Sequence, residues 1–450
     1  MLEDTISAVC TSVGDGAISI IRVSGSAAVK EVSKIFSKDL NVVDSHTIHY
    51  GFINDNGEDI DEVLVSVMKA PKSFTTEDIV EISCHGGYAV TNKIFETVLK
   101  QDIRIAEPGE FTKRAFLNGR IDLVQAEAVS DLIKAKTDNR MKAALNSLKH
   151  EVSNDISTLR GIVLDIIANI EVNIDYPEYE DIVQLTNEIL LPKINYVRDK
   201  IEELLSTTRT GKIIEDGLIM SIIGSPNVGK SSLLNKMIGE DKAIVTNIAG
   251  TTRDSIESEI IIDGVLFKLV DTAGIRKTKD VVENIGVEKS LNLLKKSDIV
   301  LFVIDNNKQV SDDEIVLLDQ VKKINHIVVI NKCDLDSKYN YDLSDFNKVE
   351  VSMLNDTNLK KIENKISGVL SLGNVNYTDK NVITKVRHIA HLNRAIKSIN
   401  DILLGIDNRI EIDLISIDIR AVYYELGCIL GYEIEDDILD KLFSEFCLGK

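Results

Sequence analysis

The chain has 450 residues, 44% hydrophobic and 28% charged, with a formal net charge of −20. That balance is ordinary for a globular protein of roughly three domains, and the acidic excess opposes nonspecific attraction to nucleic acid. Cys10, Cys84, Cys333, Cys428 and Cys447 are scattered without a C-x-x-C pair, and neither a secretory leader nor a run of 18 apolar residues is present, so a cytoplasmic location is expected, with no disulfide framework, zinc site or membrane span. The absence of Trp and the five Pro fit a helix-rich chain.

Residues 1–118 read as a compact α+β unit. Ala17–Val23 is an apolar strand after Gly14-Asp15-Gly16. His46–Ile53 and Glu62–Lys69 flank Asp55-Asn56-Gly57, a hairpin signal. Ile79–Cys84 is a further strand, and His85-Gly86-Gly87 opens a helix over Tyr88–Lys100 with Val90, Ile94, Phe95 and Val98 on one face. Pro108 to Arg114 reads as a polar loop, either a solvated turn or an anion-binding edge.

Residues 119–213 read as helical: Leu123–Lys136, then one long helix Arg140–Ile174 with Leu145, Leu148, Val152, Ile156, Leu159 and Val163 at helical spacing. Asp175-Tyr176-Pro177 ends it. Asn187–Thr208 follows, with Pro192 tolerable near its first turns. Gly211 to Gly217 is expected to be a hinge.

Residues 214–378 hold the densest signals. Leu218–Ile223 reads as a strand and Ser232–Ile238 as a helix. Between them stands Gly224-Ser225-Pro226-Asn227-Val228-Gly229-Lys230-Ser231, a complete phosphate loop. Glycines let backbone N–H groups turn toward phosphate oxygens, and the helix N-terminus adds partial positive charge. Lys230 would reach the β- and γ-phosphates, and the Ser231 hydroxyl would bind Mg²⁺. In Thr246-Asn247-Ile248-Ala249-Gly250-Thr251-Thr252-Arg253-Asp254, Thr252 is the candidate second Mg²⁺ ligand and γ-phosphate sensor. Ser255–Ile262 and Val265–Val270 form a hairpin at Asp263-Gly264. It delivers Asp271-Thr272-Ala273-Gly274, where Asp271 can hold a metal-bound water and the Gly274 N–H can meet the γ-phosphate. His326–Ile330 is a buried strand ending in Asn331-Lys332-Cys333-Asp334. The Asp334 carboxylate can accept from both the ring N–H and the exocyclic amine of guanine, a pair that adenine lacks. Four such segments in order define a GTPase domain. Lys348–Ser352 is its last strand and Leu359–Leu370 its last helix.

The candidate nucleotide contacts are therefore Asn227, Val228, Gly229, Lys230, Ser231 and Ser232; Thr246, Asn247, Ile248, Ala249, Gly250, Thr251 and Thr252; Asp271, Thr272, Ala273 and Gly274; and Asn331, Lys332, Asp334 and Ser352. Ile275 stands where Ras-type GTPases carry a water-orienting Gln, so another group must position the water. Glu283 is the best local carboxylate, although a solvated loop acid would look the same. Asn227, with the carbonyls of Thr246 and Ile248, could hold a monovalent cation in place of an arginine finger. Alternatively, Asn227 only stabilises the loop.

Residues 379–450 read as helices His388–Gly405, Leu414–Leu430 and Glu435–Phe446. Helices on both sides of a self-contained α/β domain suggest that the GTPase is inserted into one discontinuous helical domain. His388 and His391 lack a third metal ligand and read as ordinary helical histidines. Cys447, near a mobile terminus and beside a Lys, reads either as a reactive nucleophile or as an inert thiol.

The motifs above, with Pro-Gly-Glu-Phe-Thr-Lys-Arg-Ala-Phe-Leu-Asn-Gly-Arg at 108–120 and the terminal Phe-Cys-Leu-Gly-Lys, resemble the MnmE (TrmE) family of tRNA modification GTPases over essentially the whole chain. The resemblance implies an N-terminal α+β folate-binding and dimerisation domain, a discontinuous helical domain and an inserted Ras-like P-loop GTPase domain. It implies a homodimer that binds 5-formyltetrahydrofolate or a related one-carbon folate through Arg22, Glu81, Arg120 and Lys450. It implies K⁺ held by Asn227, Thr246, Ile248 and Thr251, with Glu283, Lys230 and Cys447 as catalytic groups. With an FAD-containing partner of the MnmG (GidA) type, in a heterotetramer or larger assembly, the family adds an aminomethyl-type group (carboxymethylaminomethyl) to C5 of the wobble uridine of certain tRNAs. Met353 after Ser352, Arg120 where Lys is common, and Leu448 depart slightly from the family pattern. The rival reading is a GTP-dependent RNA or ribosome assembly switch without modification chemistry. The N-terminal folate-type domain and the Cys447 tail argue against it, since an assembly factor would need RNA-binding modules instead.

Overall fold

The computed structural model describes residues 4–12, 14–175, 187–242, 258–271, 293–355, 359–372, 382–446 and 449. They divide into two compact units: Met1–Ile133 with Ser147–Asp199 and Ala390–Lys450, and Lys134–Asn146 with Lys200–Ile389.

The first unit is built on a six-stranded sheet in the order β3-β4-β5-β2-β1-β6. Its strands are β1 (Ile6–Val9), β2 (Ile18–Ser24), β3 (Thr47–Asp55), β4 (Glu58–Met68), β5 (Ile79–His85) and β6 (Arg104–Ile105). The β3–β4 hairpin turns where the sequence signal lies, with Asn56 at φ 52 and Gly57 at φ 92. Two positive φ values in a two-residue loop match the right-handed twist of the strands. Helices α1 (Ala28–Ser33) and α2 (Tyr88–Leu99) bury Ala28, Val29, Val32, Ile94 and Val98 against the sheet.

The predicted polar loop at 108–114 is instead largely helical. Helix α3 spans Glu110–Leu117 and starts after Gly109 at φ 70. The cluster of positive charge is neither a solvated turn nor an anion-binding edge. Arg114 is 1% exposed and pairs with Asp4, Glu77 and Glu110, while Lys113 pairs with Asp440. Burial of Phe111 and Ala115 one helical turn apart draws the segment into helix, and the carboxylates neutralise what the sequence presents as free charge.

Helix α4 covers Leu123–Lys134. The long helix predicted over 140–174 is two helices, α5 (Asp138–Leu148) and α6 (Glu151–Asp175). His150 breaks the run at φ 67, and Gln125 Nε2 caps the Leu148 carbonyl at 2.8 Å. Helix α7 is Asn187–Ser206 and contains Pro192. The expected hinge is also helical: α8 runs Thr208–Asp216, and only Gly217, at φ 72, leaves it. A Cβ on Gly211 would stand 1.9 Å from the Ile383 carbonyl oxygen, so this glycine serves close packing rather than bending.

The second unit carries another six-stranded sheet, in the order β12-β11-β10-β7-β9-β8. Its strands are β7 (Leu218–Ile223), β8 (Ser258–Ile262), β9 (Val265–Asp271), β10 (Ile299–Asp305), β11 (His326–Asn331) and β12 (Lys348–Glu350). All pairings are parallel except that of β8 with β9. Helices α9 (Lys230–Lys242) and α11 (Leu359–Val369) pack on one face through Leu233, Leu234, Met237, Ile362 and Ile366. Helix α10 (Asp312–Val321) packs on the other through Leu317, Leu318 and Val321. Strand β10 serves both cores, with Ile299, Leu301 and Val303 facing one way and Val300, Phe302 and Ile304 the other. Burial on both faces explains its unbroken apolar run.

Helices α12 (Val386–Asp407), α13 (Ile412–Leu430) and α14 (Asp436–Ser444) complete the chain. In the first unit α13 packs along α6, with Ile415, Ile419, Val422 and Leu426 buried alongside Ile156, Leu159, Val163 and Ile166. Helix α14 meets α3 through Phe116 and Phe443, ring centres 6.1 Å apart. Among the described residues no helix is long and apolar enough to cross a membrane.

Candidate functional site

Strand β7 ends buried at Ile223 and opens directly into the phosphate loop. Gly224 has φ 153, and a Cβ there would stand 2.2 Å from the Val303 carbonyl oxygen. Gly229 has φ 102, and its Cβ would meet Asn331 Nδ2 at 2.2 Å. Both glycines are required by left-handed backbone and by lack of room. Asn227 is exposed at φ 63, Val228 is buried, and Ser231 and Ser232 are exposed in the first turn of α9. Lys230 Nζ donates to the carbonyls of Gly224 at 2.7 Å and Ser225 at 2.8 Å. The side chain thus arches back over its own loop.

The Asn-Lys-Cys-Asp segment leaves the end of β11 beside this loop. Asn331 is 2% exposed. Its Nδ2 donates to Val228 O at 2.8 Å, and its Oδ1 accepts from the N–H of Lys332 at 2.8 Å and of Met353 at 3.3 Å. Lys332 Nζ donates to Asn227 O at 3.2 Å and to Asp305 Oδ2 at 2.6 Å. Asp334 is exposed and accepts at Oδ1 from Ser352 Oγ at 2.5 Å. The described segments of the site therefore converge at the C-terminal ends of β7, β10 and β11, where open α/β sheets bind ligands. The backbone of Asp271 joins them at the end of β9, paired with Ile222 of β7.

Asp305 was missed from sequence. It ends β10 directly opposite Asn331 and is 5% exposed. Burial pushes its carboxyl up, but the Lys332 hydrogen bond, the Asn307 N–H and the charges of Lys332 and Lys308 outweigh this and hold it below the usual carboxylate range. A lone acid closing an apolar run was the available signal.

Thr246, Asn247, Ile248, Ala249, Gly250, Thr251, Thr252, Thr272, Ala273, Gly274, Glu283, Cys447 and Lys450 lie outside the described residues.

A second set of polar groups meets on the sheet of the first unit. Arg22 in β2 stands directly across from Glu81 in β5, and its Nε donates to Glu81 Oε1 at 2.8 Å. Its guanidinium lies 5.8 Å from the Phe74 ring and 5.5 Å from the Phe111 ring. Arg120 covers Phe74 at 4.9 Å. Phe74, which sequence reading passed over, is the aromatic centre between two guanidiniums. Gly449 is buried, its carbonyl accepts from Cys10 Sγ at 3.1 Å, and a Cβ on it would stand 2.7 Å from Val9 O.

A phosphate loop leading from a parallel strand into a helix, and an Asn-Lys-x-Asp loop bonded to it, define a P-loop GTP hydrolase. A family model for the MnmE helical domain matches residues 123–447, and one for the N-terminus of the GTP-binding protein TrmE matches residues 5–120. The tRNA modification GTPase MnmE of Pediococcus pentosaceus is 49% identical over 456 residues, covering 99% of this chain and 98% of that one. The proteins of the same name from Enterococcus faecalis (48% over 457 residues, 99% and 98%) and Bacillus cytotoxicus (46% over 455 residues, 99% and 99%) are similar to the same extent. The chain belongs to the MnmE family of tRNA modification GTPases: it is a GTP hydrolase acting in tRNA modification.

Proposed function

We propose that this chain is a K⁺-stimulated, Mg²⁺-dependent GTPase whose nucleotide cycle drives modification of the wobble uridine of certain tRNAs. The observation that carries the nucleotide site is the pair of hydrogen bonds between loops, Asn331 Nδ2 to Val228 O and Lys332 Nζ to Asn227 O. It sets base-reading and phosphate-reading backbones in one frame. Lys230 would exchange its two carbonyl partners for β- and γ-phosphate oxygens. Asp334 would accept from the guanine N–H pair, with Ser352 orienting its carboxylate. The exposed Ser231 hydroxyl at the start of α9 suits a hard cation, with Thr252 as second ligand. Asp271 would hold a metal-bound water and Gly274 would meet the γ-phosphate. Asn227, with Thr246, Ile248 and Thr251, would hold K⁺, which supplies positive charge beside the phosphates. Glu283 would orient the attacking water in place of Gln.

In the first unit, Glu81 offers an acceptor for a pterin-type N–H pair, Phe74 a stacking face, and Arg22 and Arg120 cations for carboxylates. This donor set fits a one-carbon folate, with Lys450 as a fourth contact. The folate would supply the one-carbon unit that becomes the C5 aminomethyl-type group. Cys447 would act from the tail. A cytoplasmic homodimer working with tRNA and an FAD-containing protein completes the reading, with domains at 1–118, 119–213, 214–378 and 379–450.

Nucleoside mass spectrometry of tRNA from cells lacking the gene tests it. Loss of C5-aminomethyl-type wobble uridines, restored by the intact gene and not by Lys230→Ala or Cys447→Ser, is the expected result. Unchanged wobble uridines, in a cell with no redundant enzyme, would leave an RNA or ribosome assembly switch instead.

A further inference from the structure

We propose that Asp305 is a positioning residue for the nucleotide: it never reaches the ligand but sets Lys332, and through it the joint between the guanine loop and the phosphate loop. The proposal rests on reading Asn331–Asp334 as the guanine loop.

Lysine ammonium groups at a protein surface are free to change rotamer, and holding one still costs side-chain entropy. Lys332 is held from both sides. Its side chain is 34% exposed, yet Nζ lies 2.6 Å from a carboxylate that is 3% exposed and 3.2 Å from Asn227 O in the phosphate loop. Lys332 also sits at φ 63, a left-handed backbone geometry that is uncommon for residues other than glycine. The Asp305 carboxylate has little freedom of its own. Its Oδ1 accepts from Asn307 N–H at 3.0 Å, and strand β10 fixes its backbone.

The next residue secures the other side of the same loop. Asn306 N–H donates to Asn331 O at 2.8 Å, its Nδ2 donates to Leu335 O at 2.7 Å, and its carbonyl accepts from Lys338 N–H at 2.8 Å. Asp305 and Asn306 therefore form a two-residue support under 331–335: Asn306 holds the backbone and Asp305 holds the lysine. An isolated surface ion pair contributes little. This pair differs because one partner is buried and the ammonium bonds to a second loop. Nucleotide binding then meets loops already in place, and preorganisation of this kind appears as affinity and slower dissociation.

The test uses the full chain, a fluorescent GDP for binding, and steady-state GTP hydrolysis. Asp305→Asn keeps the oxygen that accepts from Asn307 and removes the charge. Loss of one charge-assisted bond predicts about tenfold weaker GDP binding, mostly through faster dissociation, with the loss in hydrolysis falling on KM rather than kcat. Asp305→Glu should recover part of it. Lys332→Met should weaken binding on its own, and adding Asp305→Asn to it should cost no more than about twofold further, since the two act as one unit. An unchanged dissociation constant in Asp305→Asn overturns the proposal. So does an undiminished tenfold loss in the Lys332→Met background, which would mean that Asp305 acts on the fold alone. Normal binding by Lys332→Met alone would instead refute the guanine-loop reading, and the proposal with it.

Discussion

Two six-stranded sheets in one chain carry their candidate sites in opposite ways. In the second unit, β10 and β11 are buried along their whole length, and the described candidate groups gather at the C-terminal ends of β7, β10 and β11. Each loop is a short contiguous segment, so each is readable as a motif. In the first unit the sheet is largely antiparallel, and its strands alternate. Ile48, Tyr50 and Phe52 of β3 project to one exposed face while Gly51 and Ile53 are buried. Its site is assembled by register: Arg22 and Glu81 lie 59 positions apart and meet because β2 and β5 pair at that rung. A parallel sheet concentrates function at one edge, whereas an antiparallel one scatters it across strands. Only the first kind announces itself in sequence.

The contrast is sharpest at Lys230. Lys230→Ala should reduce GTP turnover about a thousandfold, read by phosphate release, because transition-state charge on the phosphates loses its main cation. Thermal stability of the first unit should be untouched. Arg114→Ala strikes the other unit. It removes the buried cation shared by Glu110 and Glu77, leaves a buried gap beside them, and should cost about 3–5 kcal/mol in urea unfolding. The same network sets an acid limit. Burial pushes Glu110 up, but Arg104, the Glu107 N–H and Arg114 outweigh it and hold its carboxyl below the usual range. A depressed folded value means that the contribution is complete above the unfolded value of about 4.3 and is lost as pH falls through the folded one. Unfolding of the first unit should begin to ease below about pH 4, and the Arg114 variant should show a shallower dependence, because Arg104 and the Glu107 N–H still hold Glu110.

Asp334→Asn should weaken GTP binding about a hundredfold by titration calorimetry and strengthen binding of xanthine nucleotides, whose oxygen the carboxylate repels and the new amide N–H can meet. Glu81→Gln should weaken a one-carbon folate about tenfold in fluorescence titration of the full chain and leave GTP binding alone. A simultaneous loss at both sites would break the division between the two sheets. Tyr50→Ser, on the open face of β3, should change stability by no more than about 0.5 kcal/mol. A larger loss would mean that the face is covered.

Legibility followed the same line. Both hairpin turns, Asn56-Gly57 and Asp263-Gly264, fell where the dipeptides predicted, because positive φ at two successive residues is a local demand. Strand β10 and helix α10 went unremarked although their signals were present: an unbroken apolar run, and Ser311 with Glu314 in a reciprocal cap. Helix α3 was not recoverable locally. Its polar residues look solvated until Asp4, Glu77 and Asp440 arrive from distant segments. The break at His150 likewise depends on Gln125 taking up the freed Leu148 carbonyl.

What the residue order determined by itself was the set of local requirements: glycines where backbone needs left-handed φ, a lysine and a hydroxyl after the phosphate loop, an acid at the guanine loop, and apolar periods that choose helix or strand. These are short-range, because steric and hydrogen-bonding constraints act over a few residues. Tertiary structure decided which charges are free and which are consumed. Arg114 was spent on burial, Arg22 and Arg120 were gathered around Phe74, and Asp305 was set opposite Asn331 so that its carboxylate holds Lys332. Such pairings depend on strand register and helix packing between distant segments, and no spacing along the chain encodes them.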